Sequence, residues 1–315
     1  MGDVHATVPE IRECVQLIHE VRERADQVDP ACIVLLGDQY HAHAVVHLEV
    51  MQFWRSAFMA LAPWHTIALV GNHDRPGDRN STAHSMMSHL DSDVTVVDRP
   101  MASGPLLFVP YGDAELVRFA KAADPDATLV CHATFQGAMY DNGFYAPDGL
   151  DPEALPQRQI ISGHIHKPQE FGKVWYPGSP RWRTISDANQ DRGYWLVEHG
   201  DKGEILNREF FSTGKVCRPI YLLEDTPEST AKVPESGDIV VDVRGPPDFV
   251  ARRKRELDAL GVRVRAFPVS ERKKAVRESD GIGAAFGKYA AAWKPINGTD
   301  PEVLRGMWEK RIPWK

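Results

Sequence analysis

The feature that most constrains this chain is a repeated juxtaposition. A short apolar run ends, the chain turns, and side chains that bind metals follow at once. Cys32-Ile33-Val34-Leu35-Leu36 leads into Gly37-Asp38 and then His41, and Thr66-Ile67-Ala68-Leu69-Val70 leads into Gly71-Asn72-His73-Asp74. Thr128-Leu129-Val130 leads into His132, and Gln159-Ile160-Ile161 into Gly163-His164-Ile165-His166. Asp3 and His5 stand near the start, after Met1-Gly2. Apolar runs of this length, bounded by turn residues, read as buried strands. In open α/β sheets, ligands gather beyond the carboxyl ends of strands. Five segments therefore point oxygen and imidazole ligands at one region.

The donor types narrow the chemistry. Asp3, Asp38, Asn72, His5, His132, His164 and His166 offer oxygen and nitrogen without sulfur. Such a set suits Mn, Fe or Zn and is too rich in imidazole for Ca or a usual Mg site. Seven side chains exceed the needs of one ion. They suit two ions sharing a carboxylate, with positions open for water and phosphate. The glycines at 37, 71 and 163 let the chain turn sharply as each strand ends.

Composition enters as a set of exclusions. The net charge of -7 argues against a surface given over wholly to nucleic acid, although bound divalent cations would add positive charge where a phosphate sits. Cys14, Cys32, Cys131 and Cys217 form no CxxC pair, which predicts a reduced, cytoplasmic setting and no thiolate site. No apolar stretch approaches the roughly 20 residues of a membrane helix, and no basic-then-apolar leader opens the chain.

Helical spacing of Ile11, Cys14, Val15, Ile18 and Val21 predicts a helix over 9–24, and a second is predicted over 44–62. With a further strand at 106–109, the alternation implies an α/β layered fold. From about 173 the pattern changes to strands with tight turns, at 174–178 and 193–197, read as antiparallel strands closing a second sheet over the first. After a break near 212–214, a strand-helix-strand unit follows: 239–243, 247–260 and 262–267. Two short helical patterns, 284–293 and 300–311, end the chain.

Taken in order, Asp3-Val4-His5, Gly37-Asp38, Gly71-Asn72-His73-Asp74, His132 and Gly163-His164-Ile165-His166 resemble the calcineurin-like metallophosphoesterase superfamily, whose pattern is DxH, GD, GNHD, a lone His and GHxH. The resemblance covers about residues 2–200. It implies a four-layer α-β-β-α sandwich over 1–213, a small α+β cap over 214–280 and a helical tail over 281–315. It also implies that Asp3, His5, Asp38 and His166 hold one metal, and that Asp38, Asn72, His132 and His164 hold the second. His73 would act on the transition state or the leaving oxygen, with Asp74 orienting its ring. One departure stands out. Family members lead into DxH with an apolar strand, whereas Asp3 here follows only Met1 and Gly2; either the true start lies upstream, or the first ligand segment is a poorly anchored, frayed end.

Within the superfamily, three features resemble the SbcD family of DNA double-strand-break repair nucleases. Gly37-Asp38-Gln39-Tyr40-His41 places His41 where that family's histidine positions the DNA phosphate; the alternative is that the segment 41–47, with His41, His43 and His47, simply opens a helix. Tyr176-Pro177-Gly178-Ser179-Pro180 with Arg192-Gly193-Tyr194-Trp195-Leu196-Val197-Glu198 is similar to its "PGS … KGY-LVE" segment. The unit at about 217–268 sits where it carries a DNA-contacting cap. The implied function is a DNA exo- or endonuclease of repair and recombination. It would hydrolyse phosphodiesters with a hydroxide held by two divalent ions, manganese first, with Fe or Zn as alternatives. Implied partners are DNA, an SMC-like ATPase of the SbcC type on the tail, and a second copy of the chain. Phe286, Tyr289, Trp293, Leu304, Met307 and Trp308 give that tail an apolar face, which packing on the protein's own cap would also explain. Arg252-Arg253-Lys254-Arg255 and Arg272-Lys273-Lys274 would contact the phosphate backbone or form a solvated helix face. Arg181 and Trp182 would touch a base or sugar, or lie in the interior. The rival functions are a small-molecule phosphatase or nucleotide phosphodiesterase, and a non-catalytic scaffold of an SMC-like ATPase complex.

Overall fold

The computed structural model describes residues 1–43, 45–76, 82–90 and 94–269. Helix α1 (Ile11–Val28) buries Cys14, Leu17, Ile18, Val21 and Ala25 at three- and four-residue spacing, while Val15 faces outward. It stops at Asp29, whose φ of 45° is left-handed and whose N–H bonds the Ala25 carbonyl at 2.8 Å; Pro30 follows. Strand β1 (Cys32–Leu35) comes next. Helix α2 (Leu48–Leu61) starts at Leu48 and not at 44, because His47 is extended and His43 is held at 3.0 Å on the Asn72 carbonyl. Strands β2 (His65–Leu69) and β3 (Val94–Val97) complete a parallel sheet in the order β1-β2-β3.

A second sheet has six strands. They are β4 (Met101–Ser103), β5 (Leu106–Val109), β6 (Thr128–His132), β7 (Ile160–Gly163), β8 (Gln169–Phe171) and β9 (Val174–Tyr176), and α3 (Asp113–Ala122) intervenes before β6. The order β4-β5-β6-β7-β9-β8 is parallel in its centre and antiparallel at both edges. The segment at 174–178 closes this second sheet, antiparallel to β8 across a tight turn as expected, but it does not pair with 193–197. β9 extends the same sheet, parallel to β7. The ribbon of β10 (Gly193–His199) and β11 (Ile205–Ser212) is antiparallel as expected.

Alternation along the strands builds four layers. Ile33, Leu35, Ala68 and Val70 pack with α1 and α2, while Leu36, Ile67 and Leu69 face Phe108, Val130, Ile161 and Trp175 of the second sheet. On the far side of that sheet, Leu129, Cys131, Ile160, Val174 and Tyr176 pack with Leu116 and Ala120 of α3. The result is the α-β-β-α sandwich expected. An apolar cavity of about 580 Å³ lies beside β1 and β10, lined in part by Val21, Val34, Trp175, Tyr194 and Leu196. None of the candidate metal ligands lines it, so hydrophobic enclosure does not mark the site.

The chain divides into two units, Met1–Leu223 with Ala231–Val241, and Glu224–Thr230 with Asp242–Lys315. In the later sequence β12 (Ile220–Asp225), β13 (Asp238–Gly245), α4 (Pro247–Ala259) and β14 (Arg263–Pro268) give a helix and a three-stranded sheet, ordered β12-β13-β14. Asp225 accepts from Arg253 at 2.6 Å, and Lys254 pairs with Asp258 at 2.6 Å. Two of the cations in the run Arg252 to Arg255 are thus engaged by neighbouring carboxylates. The basic run at 272–274 and the helical patterns at 284–293 and 300–311 lie outside the described residues. Among the described residues no helix is long and apolar enough to cross a membrane.

Candidate metal centre

The first ligand segment is pinned, which corrects the expectation of a frayed end. Leu36 N–H donates to the Met1 carbonyl at 3.0 Å, His5 N–H to the Asp38 carbonyl at 2.8 Å and Ala6 N–H to the Gln39 carbonyl at 2.9 Å. Residues 1–6 therefore run alongside the end of β1, with a parallel bridge from Ala6 to Tyr40. Arg181 closes the segment from the other side. Its Nε donates to the Val4 carbonyl and its Nη2 to the His5 carbonyl, both at 2.8 Å, while Glu10 accepts from it at 2.9 Å. Arg181 is fully buried, and Trp182 is a core residue whose Nε1 donates to the Gln190 carbonyl. Neither is free to touch a base or sugar.

The strand ends bring the ligand candidates into two groups. Asp3, His5 and His166 form one, and Asp38, His132 and His164 the other; within each, the donor atoms lie within 4.8 Å of one another. In the first group His5 Nε2 and His166 Nε2 face each other at 3.0 Å. In the second, Asn72 Oδ1 is 3.0 Å from His132 Nε2 and 2.7 Å from His164 Nδ1. Asp38 links them: its Oδ2 is 3.4 Å from His5 Nε2 and its Oδ1 is 3.4 Å from His132 Nε2. His5, Asp38 and His164 all hold left-handed backbone, with φ of 49°, 53° and 82°. Gly71 allows the approach of Asp38, because a Cβ there would meet the Asp38 carboxylate and amide.

The groups fit divalent cations on their own chemistry. Asp3 Oδ1 accepts from the His164 N–H at 2.8 Å, but its Oδ2 is buried with no hydrogen-bond partner. A buried carboxylate oxygen without a donor needs a cation or a proton. Burial, reinforced by nearby Asp38, pushes the Asp3 carboxyl up. Burial acts the same way on Asp38, but the charge and hydrogen bond of His132 and the charge of His5 outweigh it and hold Asp38 well below the carboxylate range. Burial lowers His132, yet Asp38 and Asp3 reverse this and raise it to about 9. The site therefore draws positive charge to the point where the carboxylates converge. His132 Nδ1 lies 2.7 Å from the Leu36 carbonyl, to which its N–H donates, and this sets Nε2 toward Asn72 and Asp38.

Around the groups stand the residues expected to act on substrate. His73 N–H donates to Asp38 Oδ1 at 2.8 Å, and His73 Nδ1 lies 2.7 Å from the His41 carbonyl. The ring of His73 is thus oriented by that carbonyl and not by Asp74. The two Asp74 oxygens accept backbone N–H groups from Tyr40 and Gly71, each at 2.9 Å, so Asp74 ties two ligand loops together. Burial, then the Asp38 charge, raises the Asp74 carboxyl to about 7. His41 is exposed, stacks on His73 at 5.3 Å, and its Nδ1 is 3.5 Å from His5 Nδ1. His43 covers the other part of His73, with ring centroids 4.0 Å apart. Tyr111 lies over His164 at 6.0 Å. It follows the strand at 106–109, a strand end with the same sequence logic as the others, and it carried no ligand type to draw notice.

Residues 1–168 match the calcineurin-like phosphoesterase family. The chain belongs to that family. Members of the family are hydrolases that use divalent metals, and the two groups just described fit a metal site. Among curated proteins, exonuclease subunit 1 of Enterobacteria phage T4 is 27% identical over 177 residues, covering 51% of this chain and 51% of that protein. This phosphoesterase thus spans about half the length of the relative it matches.

Proposed function

We propose that this calcineurin-like phosphoesterase is a DNA nuclease subunit of the SbcD type, working with two divalent cations, manganese first. The observation that carries the reading is the orientation of Asp38, with one carboxylate oxygen toward His5 and the other toward His132. Cations about 3.5–4 Å apart in two-metal sites need such a bridge. Asp3, His5 and His166 with Asp38 Oδ2 would hold one, and Asn72, His132 and His164 with Asp38 Oδ1 the other. Bound there, the ions supply Lewis-acid polarisation of a phosphoryl oxygen and a nucleophile at neutral pH. The chain's own residues position the rest. The Leu36 carbonyl fixes the His132 ring, and the His41 carbonyl fixes that of His73. With Nδ1 so engaged, His73 Nε2 is the atom left to exchange a proton with the departing oxygen.

Three things favour DNA as substrate: the exonuclease named among the relatives, His41 stacked beside His73, and the Tyr176–Pro180 and Arg192–Glu198 segments shared with the SbcD pattern. The subunit in that relative's name supports membership of a complex, and we assign residues 281–315 to docking an SMC-like ATPase and 214–280 to a DNA-contacting cap. The test is cleavage of linear duplex DNA, metal by metal, beside nitrophenyl phosphodiesters and monoesters. Manganese-dependent DNA cleavage with two equivalents of bound metal is expected. Monoester turnover with intact DNA overturns the nuclease reading in favour of a phosphatase. Neither metal nor turnover leaves a scaffold.

A further inference from the structure

We infer that Arg183 is a phosphate-binding residue of this site, its guanidinium receiving a non-bridging oxygen of the scissile phosphodiester beside His41 and the first metal group. The inference rests on the two-metal reading and adds a substrate contact to it.

The geometry is specific. Arg183 Nη1 lies 3.3 Å from His41 Nδ1, and that same nitrogen is 3.5 Å from His5 Nδ1. One imidazole therefore separates the guanidinium from a ligand of the first group, and the Arg183 charge is among those acting on His5. The loop that carries Arg183 is fixed. The N–H groups of Arg183 and Thr184 donate to Asp187 Oδ2 at 2.9 and 2.7 Å, and Asp187 is itself held by buried Arg192 at 2.6 Å. A side chain presented from such a loop is already oriented for its ligand.

The guanidinium is short of acceptors. Its side chain is only 11% exposed, and Nε is buried with no hydrogen-bond partner. The nearest carboxylate, Glu10, lies 4.0 Å from Nε and already accepts from Arg181 at 2.9 Å and Thr7 at 2.6 Å. The remaining contact is the ring of His41, which must be neutral at Nδ1 to accept. Neighbouring Arg181 differs in kind: two carbonyls and two glutamates satisfy it. A planar cation with five donors, nearly enclosed and underused, calls for an oxyanion. At the edge of a phosphoesterase centre, that oxyanion is the phosphate.

The test uses the full chain, loaded with manganese, and the variants Arg183→Lys and Arg183→Gln. Metal content, thermal melting, binding of inorganic phosphate by calorimetry, and kcat and KM on bis-nitrophenyl phosphate are read for each. The wild type and both variants should hold two metals and melt alike. Phosphate affinity should fall about 10- to 100-fold in Arg183→Gln, with KM rising in step, and less in Arg183→Lys, which keeps a point charge. Unchanged phosphate affinity and KM at full metal content overturn the role of Arg183 and leave the metal centre standing. Loss of metal in the variants also overturns it, since Arg183 would then support a ligand. A wild-type protein that binds no manganese instead refutes the two-metal reading, and the inference falls with it.

Discussion

Arg181 Nη2 rests 2.8 Å from the carbonyl oxygen of His5, and through this contact a buried guanidinium holds the backbone of the first ligand-candidate segment. The same guanidinium bonds Val4, Glu10 and Glu13. Replacing it strands buried carbonyls and a glutamate that is only partly open to water. Arg181→Met should therefore cost about 2–4 kcal/mol of stability, below the full cost of breaking a buried pair because Glu10 and Glu13 are partly exposed. Its metal content should drop from two equivalents toward one, with partial recovery in Arg181→Lys. Equal melting curves and two metals in Arg181→Met, by denaturation and elemental analysis, would exclude the tethering role.

His73 should be separable from metal binding. Its N–H meets Asp38, but the main chain makes that bond, so His73→Ala keeps it. Cleavage should fall about 10²- to 10⁴-fold, the usual share of a general acid or base, while metal stoichiometry stays at the wild-type level. A variant that cuts phosphodiesters at the normal rate would remove His73 from the mechanism.

Gly71 offers a test of the bridge without touching a ligand. A methyl group there meets the Asp38 carboxylate and backbone, neither of which is a flexible far end. Gly71→Ala should therefore weaken metal binding about 10-fold or more, since displaced or mis-supported ligands cost that much. Titration calorimetry with manganese decides this, and unchanged affinity would mean that Asp38 has room to move.

Acid should weaken the fold partly through His89. The Tyr40 hydroxyl lies 2.7 Å from His89 Nε2, and burial, aided by the Arg55 charge, lowers His89 from 6.5 to about 4. The unfolded chain takes up that proton first. The contribution is therefore fully present above pH 6.5, declines as pH falls from 6.5 to 4, and levels off below. Urea melts across this window should show a shallower decline in His89→Gln than in wild type. Parallel curves would assign the acid sensitivity elsewhere.

The sandwich layers were legible because each strand and the ligand candidates after it are adjacent in sequence. An apolar run and the polar tip after it carry their own local meaning, so Asp38, Asn72, His132, His164 and His166 could be found one segment at a time. Long-range pairing was not legible in the same way. β9 joins β7 through a register that its tight turns do not encode. Arg181 serves backbone carbonyls 177 and 176 residues away, and a carbonyl leaves no trace in a sequence. Sequence adjacency also misled at His73 and Asp74. Neighbours on a sharp turn point apart, and Asp74 bonds Tyr40 and Gly71 instead. Arg183 lay three residues past the Tyr176–Pro180 segment, with nothing local to separate it from any surface arginine.

The left-handed backbone at His5, Asp38 and His164 has a bearing on how this centre can change. Such a conformation costs of order 1–3 kcal/mol for an ordinary residue, but histidine, asparagine and aspartate adopt it more readily than most. The residue types able to occupy these corners are thus also types that can coordinate ions. Exchange of imidazole for amide or carboxylate at His5 or His164 leaves the main-chain path intact while shifting the donor balance from nitrogen to oxygen. In the proposed centre, the hand of three peptide corners would thereby confine these positions to donors for hard or borderline cations.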